Sequence, residues 1–301
     1  MVSPIWLRGA IDGELHDNLL PFWRERGMDA ELGGFVAEMA NDGTVRTDAH
    51  KGLILNSRIL WSFAALYRAL GNPTDLALAN RAGEYLLDHF KDVEHGGYYW
   101  QLDATGRLVD PSKKIYGQAF CIYALTELHL ATGESGVLEE AKGLFHLIEN
   151  HAHDDDHGGY IEVVAADWSP AADLRLSAKD MDVAKSMNNH LHVLEAYTNL
   201  YRVWPDPSVE ARLQELLELF DEHIIDRDGQ RCHLQHFFDR DWRVRSTTYS
   251  YGHDIEAAWL LCEAAEVIGD TACVAKAEGW AENLASSVLH EALSPDGGLP
   301  Y

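Results

Sequence analysis

Three stretches of this chain place polar and ionisable side chains inside otherwise apolar helical sequence. In Lys51-Gly-Leu-Ile-Leu-Asn-Ser-Arg58-Ile-Leu-Trp61, Arg58 lies among Leu55, Ile59 and Leu60. A guanidinium in such surroundings needs a partner, because an unpaired buried charge is costly. It can be held in a buried salt bridge, or it can donate to an oxygen that turns negative during a reaction. In Lys185-Ser-Met-Asn188-Asn-His190-Leu-His192-Val-Leu-Glu195, the residues Asn188, His192 and Glu195 fall on one helix face. That face is either a hydrogen-bonding stripe turned to a cavity or a polar outer stripe. In Ser250-Tyr-Gly-His253-Asp-Ile-Glu256-Ala-Ala-Trp259, His253 belongs to the first turn of a helix, with Glu256 one turn on. An imidazole titrates near neutral pH and suits moving a proton in both directions, and a neighbouring carboxylate fixes its tautomer. The plain alternative is a capping histidine.

His192-x-x-Glu195 and His253-x-x-Glu256 on facing helices also spell a dinuclear metal site. Such pairs arise often by chance and no Asp-rich motif accompanies them, so no metal ligand is expected. His151-Ala-His153-Asp-Asp-Asp156-His157 reads as a solvated loop, and its Asp spacing does not match a calcium loop. No glycine-rich phosphate loop follows a strand, and no Gly-x-Ser-x-Gly elbow occurs. The expectation is chemistry without a cofactor.

Composition narrows the partners. The chain has 301 residues, with 24 Lys+Arg against 49 Asp+Glu, a formal net charge of −25. That balance speaks against nucleic acid, anionic membranes and polyanionic substrates. Nine Trp and twelve Tyr supply rings on which the apolar face of a sugar can lie. Cys121, Cys232, Cys262 and Cys273 form no CxxC pair. Cys121 and Cys262, inside apolar helical stretches, read as buried free thiols. The first residues lack a charged region followed by an apolar core, and no apolar run is long enough to span a bilayer, so the expected location is the cytoplasm.

The elements that must position these residues repeat. Gly33-Gly34-Phe35, Gly96-Gly97-Tyr98 and Gly158-Gly159-Tyr160 recur about 60 residues apart, and Gly297-Gly298-Leu299 follows after a little over twice that interval. The missing mark falls near residue 230, where a turn and a short strand are expected without the double glycine. Between the marks, apolar periodicity predicts paired helices over residues 51–69 and 73–90, 115–132 and 134–150, 185–203 and 208–225, and 251–268 and 271–289. A further helix is expected over 7–23, giving nine. Helix pairs that cannot bury their apolar faces alone must stack. Glycine hairpins that all cap one end of the pairs favour a closed toroid over an open solenoid. The expected fold is therefore all-α, a single (α/α)6 barrel domain over residues 1–301. A complete six-pair toroid takes roughly 370–390 residues, so the last quarter, about three helices, is expected to be missing.

Ser57-Arg58-Ile-Leu-Trp61, Tyr116-Gly-Gln-Ala-Phe-Cys-Ile-Tyr123, Met187-Asn188-Asn-His190-Leu-His192-Val-Leu-Glu-Ala-Tyr197 and Ser250-Tyr-Gly-His253-Asp-Ile-Glu256-Ala together resemble the N-acylglucosamine 2-epimerase superfamily, its cellobiose 2-epimerase branch in particular. The resemblance runs from Leu15 to the end. It implies an (α/α)6 barrel and cofactor-free epimerisation at C2 of the reducing-end glucose of a β-1,4-linked disaccharide, through ring opening and a cis-enediolate. It implies His253 as one of two acid/base histidines, with Glu256 supporting it, and Arg58 at the enediolate oxygen. Tyr116, Asn188 and His192 match sugar-contacting positions, with His192 assisting ring opening. The second acid/base histidine and a Trp-rich segment belong to the family's last quarter, and no residue here matches them, so the chain alone is expected to be a fragment that is weakly active or inactive. An α/α-barrel glycoside hydrolase, which needs a cavity-facing carboxylate pair, and a non-catalytic carbohydrate-binding toroid are the competing readings.

Overall fold

The computed structural model describes residues 4–177, 179–229, 231–294 and 298. Helix α1 (Pro4–Glu14) continues through a π-helical turn (Leu15–Leu19) into α2 (Leu20–Arg26), so the single helix expected near the start is longer and split. Four helix pairs follow. The first members are α3 (Leu53–Leu70), α5 (Ile115–Thr132), α7 (Met187–Val203) and α9 (Tyr251–Ile268). The second members are α4 (Pro73–Tyr85), α6 (Ser135–His151), α8 (Pro207–Leu219) and α10 (Thr271–Glu291). The described residues thus hold ten α-helices where nine were expected.

Local chemistry sets where these helices stop and start. Gly71, Gly133 and Gly269 close α3, α5 and α9 in the left-handed conformation that only glycine adopts without strain. Asn72, Asp206 and Asp270 then cap α4, α8 and α10, each side chain accepting from a first-turn N–H. Pro73 and Pro207 occupy first helical positions, where no N–H is needed.

The first members form an inner ring and the second members an outer one. α3 packs on α5, α5 on α7 and α7 on α9, while each inner helix also packs on its own outer partner. An inner helix is covered on most sides, so α5 carries no single apolar stripe and is buried almost continuously from Ile115 to Leu128. The core runs between the two rings, from Phe35, Leu60 and Phe90 through Leu125, Phe145 and Tyr197 to Phe220 and Leu261.

Short strands gather at the end where the inner helices begin. They are β1 (Lys51–Gly52), β2 (Gln101–Leu102), β3 (Leu108–Asp110), β4 (Lys113–Lys114), β5 (Val163–Val164), β6 (Lys185–Ser186), β7 (Ile225–Asp228), β8 (Arg231–Leu234) and β9 (Phe237–Phe238). They pair antiparallel as β1-β2-β3, β4-β5, β6-β9 and β7-β8. At the glycine marks the chain reverses through the bridges Met28↔Phe35, Lys91↔Tyr98 and His153↔Tyr160. At the fourth mark the β7-β8 hairpin replaces the double glycine, as the turn-and-strand expectation requires. Of the last mark, Gly297 and Leu299 lie outside the described residues, as do Pro300 and Tyr301.

Three of the hairpins are each stitched to two neighbouring inner helices. Leu53, Ile115 and Met187, the first residues of α3, α5 and α7, donate their N–H to the carbonyls of Trp100, Glu162 and His236 (3.0, 3.0 and 2.9 Å). The next inner helix holds the same hairpin from its fourth position. Gln118 accepts from the Tyr98 N–H, His190 from Tyr160 and Asp254 from Leu234, each at 2.9 Å. Buried lysines complete the rim: Lys51 pairs with Asp29 (2.8 Å), Lys113 with Asp92 (2.7 Å) and Lys185 with Asp154 (2.9 Å). In the fourth repeat Tyr249 takes the lysine's place, its hydroxyl donating to Asp226 at 2.7 Å.

This rim corrects one expectation. The run 151–157 is not a solvated loop throughout. Asp154 is buried and bound by Lys185 and Arg240, and His153 is held between Asp155 (2.9 Å) and Glu215 (3.0 Å). Burial alone would raise the Asp154 pKa, but hydrogen bonds from Arg240 and Lys185 outweigh it and hold the carboxyl well below its usual range. All four cysteines are free. Cys121 and Cys232 are buried, whereas Cys262 is half-buried rather than enclosed.

Candidate active site on the ring axis

The sixth residue of each inner helix faces the same place. α3, α5, α7 and α9 begin at Leu53, Ile115, Met187 and Tyr251, and their sixth residues are Arg58, Phe120, His192 and Glu256. They touch in that order. The Arg58 guanidinium lies 4.5 Å over the Phe120 ring, Phe120 and His192 rings are 4.9 Å apart, and His192 Nε2 is 4.0 Å from Glu256 Oε1. The ninth residues, Trp61, Tyr123, Glu195 and Trp259, make the next layer down the axis, with Trp61 stacked on Tyr123 at 5.0 Å.

Hydrogen bonds orient the row. Arg58 Nη2 donates to the Tyr116 hydroxyl at 2.9 Å, and the Tyr116 ring meets His192 edge to face at 5.1 Å. Burial pushes the Tyr116 pKa up, against the opposing pull of Arg58, so the phenol stays neutral. His192 Nδ1 lies 2.7 Å from Glu195 Oε2. A carboxylate only accepts, so this contact places hydrogen on Nδ1 and turns Nε2 toward Glu256.

His253 stands beside the row at the start of α9. Its Nδ1 is 2.9 Å from the hydroxyl of Ser250, the residue that also caps the helix. Burial lowers its pKa, Glu256 pulls the other way and His192 adds to the fall, leaving an imidazole that is neutral and able to accept a proton near pH 7. The His236 ring meets it edge to face at 5.3 Å.

These groups border a cleft of about 1040 Å³. Asn188, His253, Glu256 and Trp259 line it from the helices, and Glu162, Met181 and His236 from the loops and hairpins. Glu162 is buried, which pushes its carboxyl up to about 8 against the hydrogen bond from the Ser186 N–H. His192 lies one contact deeper, beside Glu256, and Tyr116 and Arg58 lie beyond it. A second cavity of about 550 Å³ lies further along the axis, among Trp61, Tyr123, Glu127, Asn199 and Arg202.

The chain matches the family model described as N-acylglucosamine 2-epimerase (GlcNAc 2-epimerase) over residues 33–301. It is 46% identical to a cellobiose 2-epimerase of Bacteroides fragilis, over 98% of this chain and 74% of that protein. The solved cellobiose 2-epimerase of Bacillus thermoamylovorans superposes with a TM-score of 0.92 at 37% identity, over 98% of this chain and 75% of that one. This chain belongs to the N-acylglucosamine 2-epimerase family. A family 76 glycoside hydrolase from Bacteroides thetaiotaomicron also superposes, with a TM-score of 0.67 over 97% of this chain and 57% of that one, but at 15% identity this is a likeness of fold alone.

Membership in the N-acylglucosamine 2-epimerase family makes the protein an isomerase, a carbohydrate epimerase, and the α/α-barrel architecture agrees with the fold expected from the repeat. Of the residues expected at an epimerase site, Arg58, His192 and Glu256 fall in the row, Tyr116 lies beside it against Arg58 and His192, and Asn188, His253 and Glu256 line the cleft. One detail differs. Glu256 was expected to hold His253, but Ser250 makes the direct contact and Glu256 sits nearest His192. The dinuclear grouping weighed from the two His-x-x-Glu pairs does not assemble. Among the described residues, Asp154, Asp156 and His157 form the one cluster close enough to share an ion, and Asp154 is already taken by Lys185 and Arg240. No helix among the described residues is long and apolar enough to cross a membrane.

Sequence reasoning passed over Ser250, Phe120 and His236 as site residues. The first carries a local signal, a helix cap. Phe120 and His236 become visible only when the repeats are laid on one another.

Proposed function

We propose that this protein epimerises cellobiose or a related β-1,4-linked disaccharide at C2 of the reducing-end glucose. The reading rests on one observation. The axial row of Arg58, Phe120, His192 and Glu256 ends beside His253 in a sugar-sized cleft, in a chain whose relatives carry the cellobiose 2-epimerase name.

The chemistry assigns each group a task. His192, oriented by Glu195, moves a proton at the ring oxygen or the anomeric hydroxyl as the ring opens. His253 then takes the proton from C2. The C–H electrons pass into the C1 carbonyl, giving a cis-enediolate, and the proton resides on the imidazole. Arg58 and the Tyr116 hydroxyl are donors at the developing oxyanion, a contribution of ~3–4 kcal/mol for one well-placed donor. Glu256, between His192 and His253, favours the protonated imidazole once it forms. Rotation about C2–C3 then turns the opposite face of C2 toward the protonated His253, which returns a proton there, completes the inversion and is neutral again.

Turnover of cellobiose in D2O, without added metal or nucleotide, tests this. Deuterium at C2 of a mannose-ended product is expected, and His253→Asn should slow its appearance by ~10²–10⁴-fold. Product without solvent label, or release of free glucose, overturns the proposal.

A further inference from the structure

Two of the buried side-chain atoms without a hydrogen-bond partner belong to residues that line either cavity: Trp61 Nε1 in the deeper one and His236 Nε2 in the cleft. Only His236 also touches the acid/base histidine. Its placement is firm. The His236 carbonyl accepts from Met187 at the start of α7, and its N–H donates to the Ser246 hydroxyl at 3.0 Å. The hairpin carrying it is pinned to α9 through Leu234 and Asp254. His236 therefore sits between the helix of His192 and the helix of His253. The two preceding hairpins put Trp100 and Glu162 at the same stitched position, and Glu162 also lines the cleft.

Burial drives the imidazole down to about 4, with His253 adding to the fall, so it is neutral at pH 7. A neutral imidazole offers one donor and one acceptor, which matches a hydroxyl and not an anion. Leaving the buried nitrogen unpaired costs ~1–3 kcal/mol, a penalty that an arriving hydroxyl removes.

We propose that His236 is a sugar-binding residue, its Nε2 hydrogen-bonded to a hydroxyl beside the carbon that His253 deprotonates. The identity of the ligand as the reducing-end sugar rests on the epimerase reading above. The role is binding and orientation. His236 moves no proton to or from carbon.

His236→Phe keeps a ring against His253 and removes both nitrogens. Calorimetry with cellobiose should show an affinity ~10-fold weaker than wild type. KM should rise by the same factor, with kcat and the acid limb of the pH profile unchanged, the pattern of lost uniform binding. His236→Gln, which retains a donor and an acceptor, should recover most of the affinity. Wild-type affinity in His236→Phe overturns the inference, and so does a loss in His236→Gln as large as in His236→Phe, which would mark a packing role. Because affinity is read directly, the two claims separate. Binding that needs His236 without exchange at C2 sinks the epimerase reading and keeps this one, whereas normal exchange in an unaffected His236→Phe sinks this one alone.

Discussion

The third and fourth repeats solve one structural problem in two ways. Both must pin a hairpin to the start of an inner helix. The third uses Gly158-Gly159, a buried lysine and a neutral imidazole: Lys185 binds Asp154, and His190, its pKa pulled down to about 4 by burial, accepts from Tyr160. Gly159 has φ +73° and a Cβ there would lie 2.5 Å from His190 Nε2, so glycine is required. The fourth has a longer β7-β8 hairpin, a tyrosine in place of the lysine and a carboxylate as anchor. Asp254 takes the Leu234 N–H and lies 2.9 Å from His233 Nδ1. The anchoring position persists although its chemistry changes. Positions one to two residues before it and two after it are thereby free to vary. In α7 they hold Asn188 and His192, and in α9 they hold His253 and Glu256. The scaffold thus separates residues that hold the rim from residues that face the axial row and the cleft.

The largest effect should come from the rim ion pair. Lys185→Met removes the buried cation from Asp154, leaving it Arg240, the Asp156 N–H and His157, and should cost ~3 kcal/mol or more, whereas Tyr249→Phe, at the matching place, removes one hydroxyl from a more exposed carboxylate and should cost ~1 kcal/mol or less. Urea denaturation measures both, and equal losses would break the equivalence drawn between the repeats. Next come the turns. Gly229→Ala, with φ +64° and open space around it, should lose ~1–2 kcal/mol to backbone strain alone. Gly159→Ala should lose more, because His190 and Trp242 stand in the way. A Gly159→Ala protein no less stable than Gly229→Ala contradicts the close packing of the third hairpin. The smallest effect is electrostatic. Glu256 raises the His253 pKa, so Glu256→Gln should lower it and move the acid limb of kcat/KM to lower pH, by under about one unit. A shift to higher pH would mean that Glu256 does not act on His253.

Much of this was legible before any coordinates. The glycine marks, the caps at Asn72, Asp206 and Asp270 and the apolar periodicity locate the helices, because each depends on residues within a turn of one another. The same locality brought Asn188, His192 and Glu195 to one face. The fate of 151–157 was not legible, because the burial of Asp154 depends on Lys185 and Arg240, far along the chain. Cys262 was misjudged for a related reason: periodicity tells that a helix has a buried side, not how far that side extends.

Local sequence determined the repeat, the helix ends and the residue types able to move a proton. The tertiary structure decided how each inner helix is rotated about its own axis. Only that rotation turns four sixth positions into one row, sets Glu256 nearer His192 than expected and brings His236 against His253. Spacing along a helix specifies which side chains are neighbours within it, whereas contacts between helices are selected by packing across the whole ring.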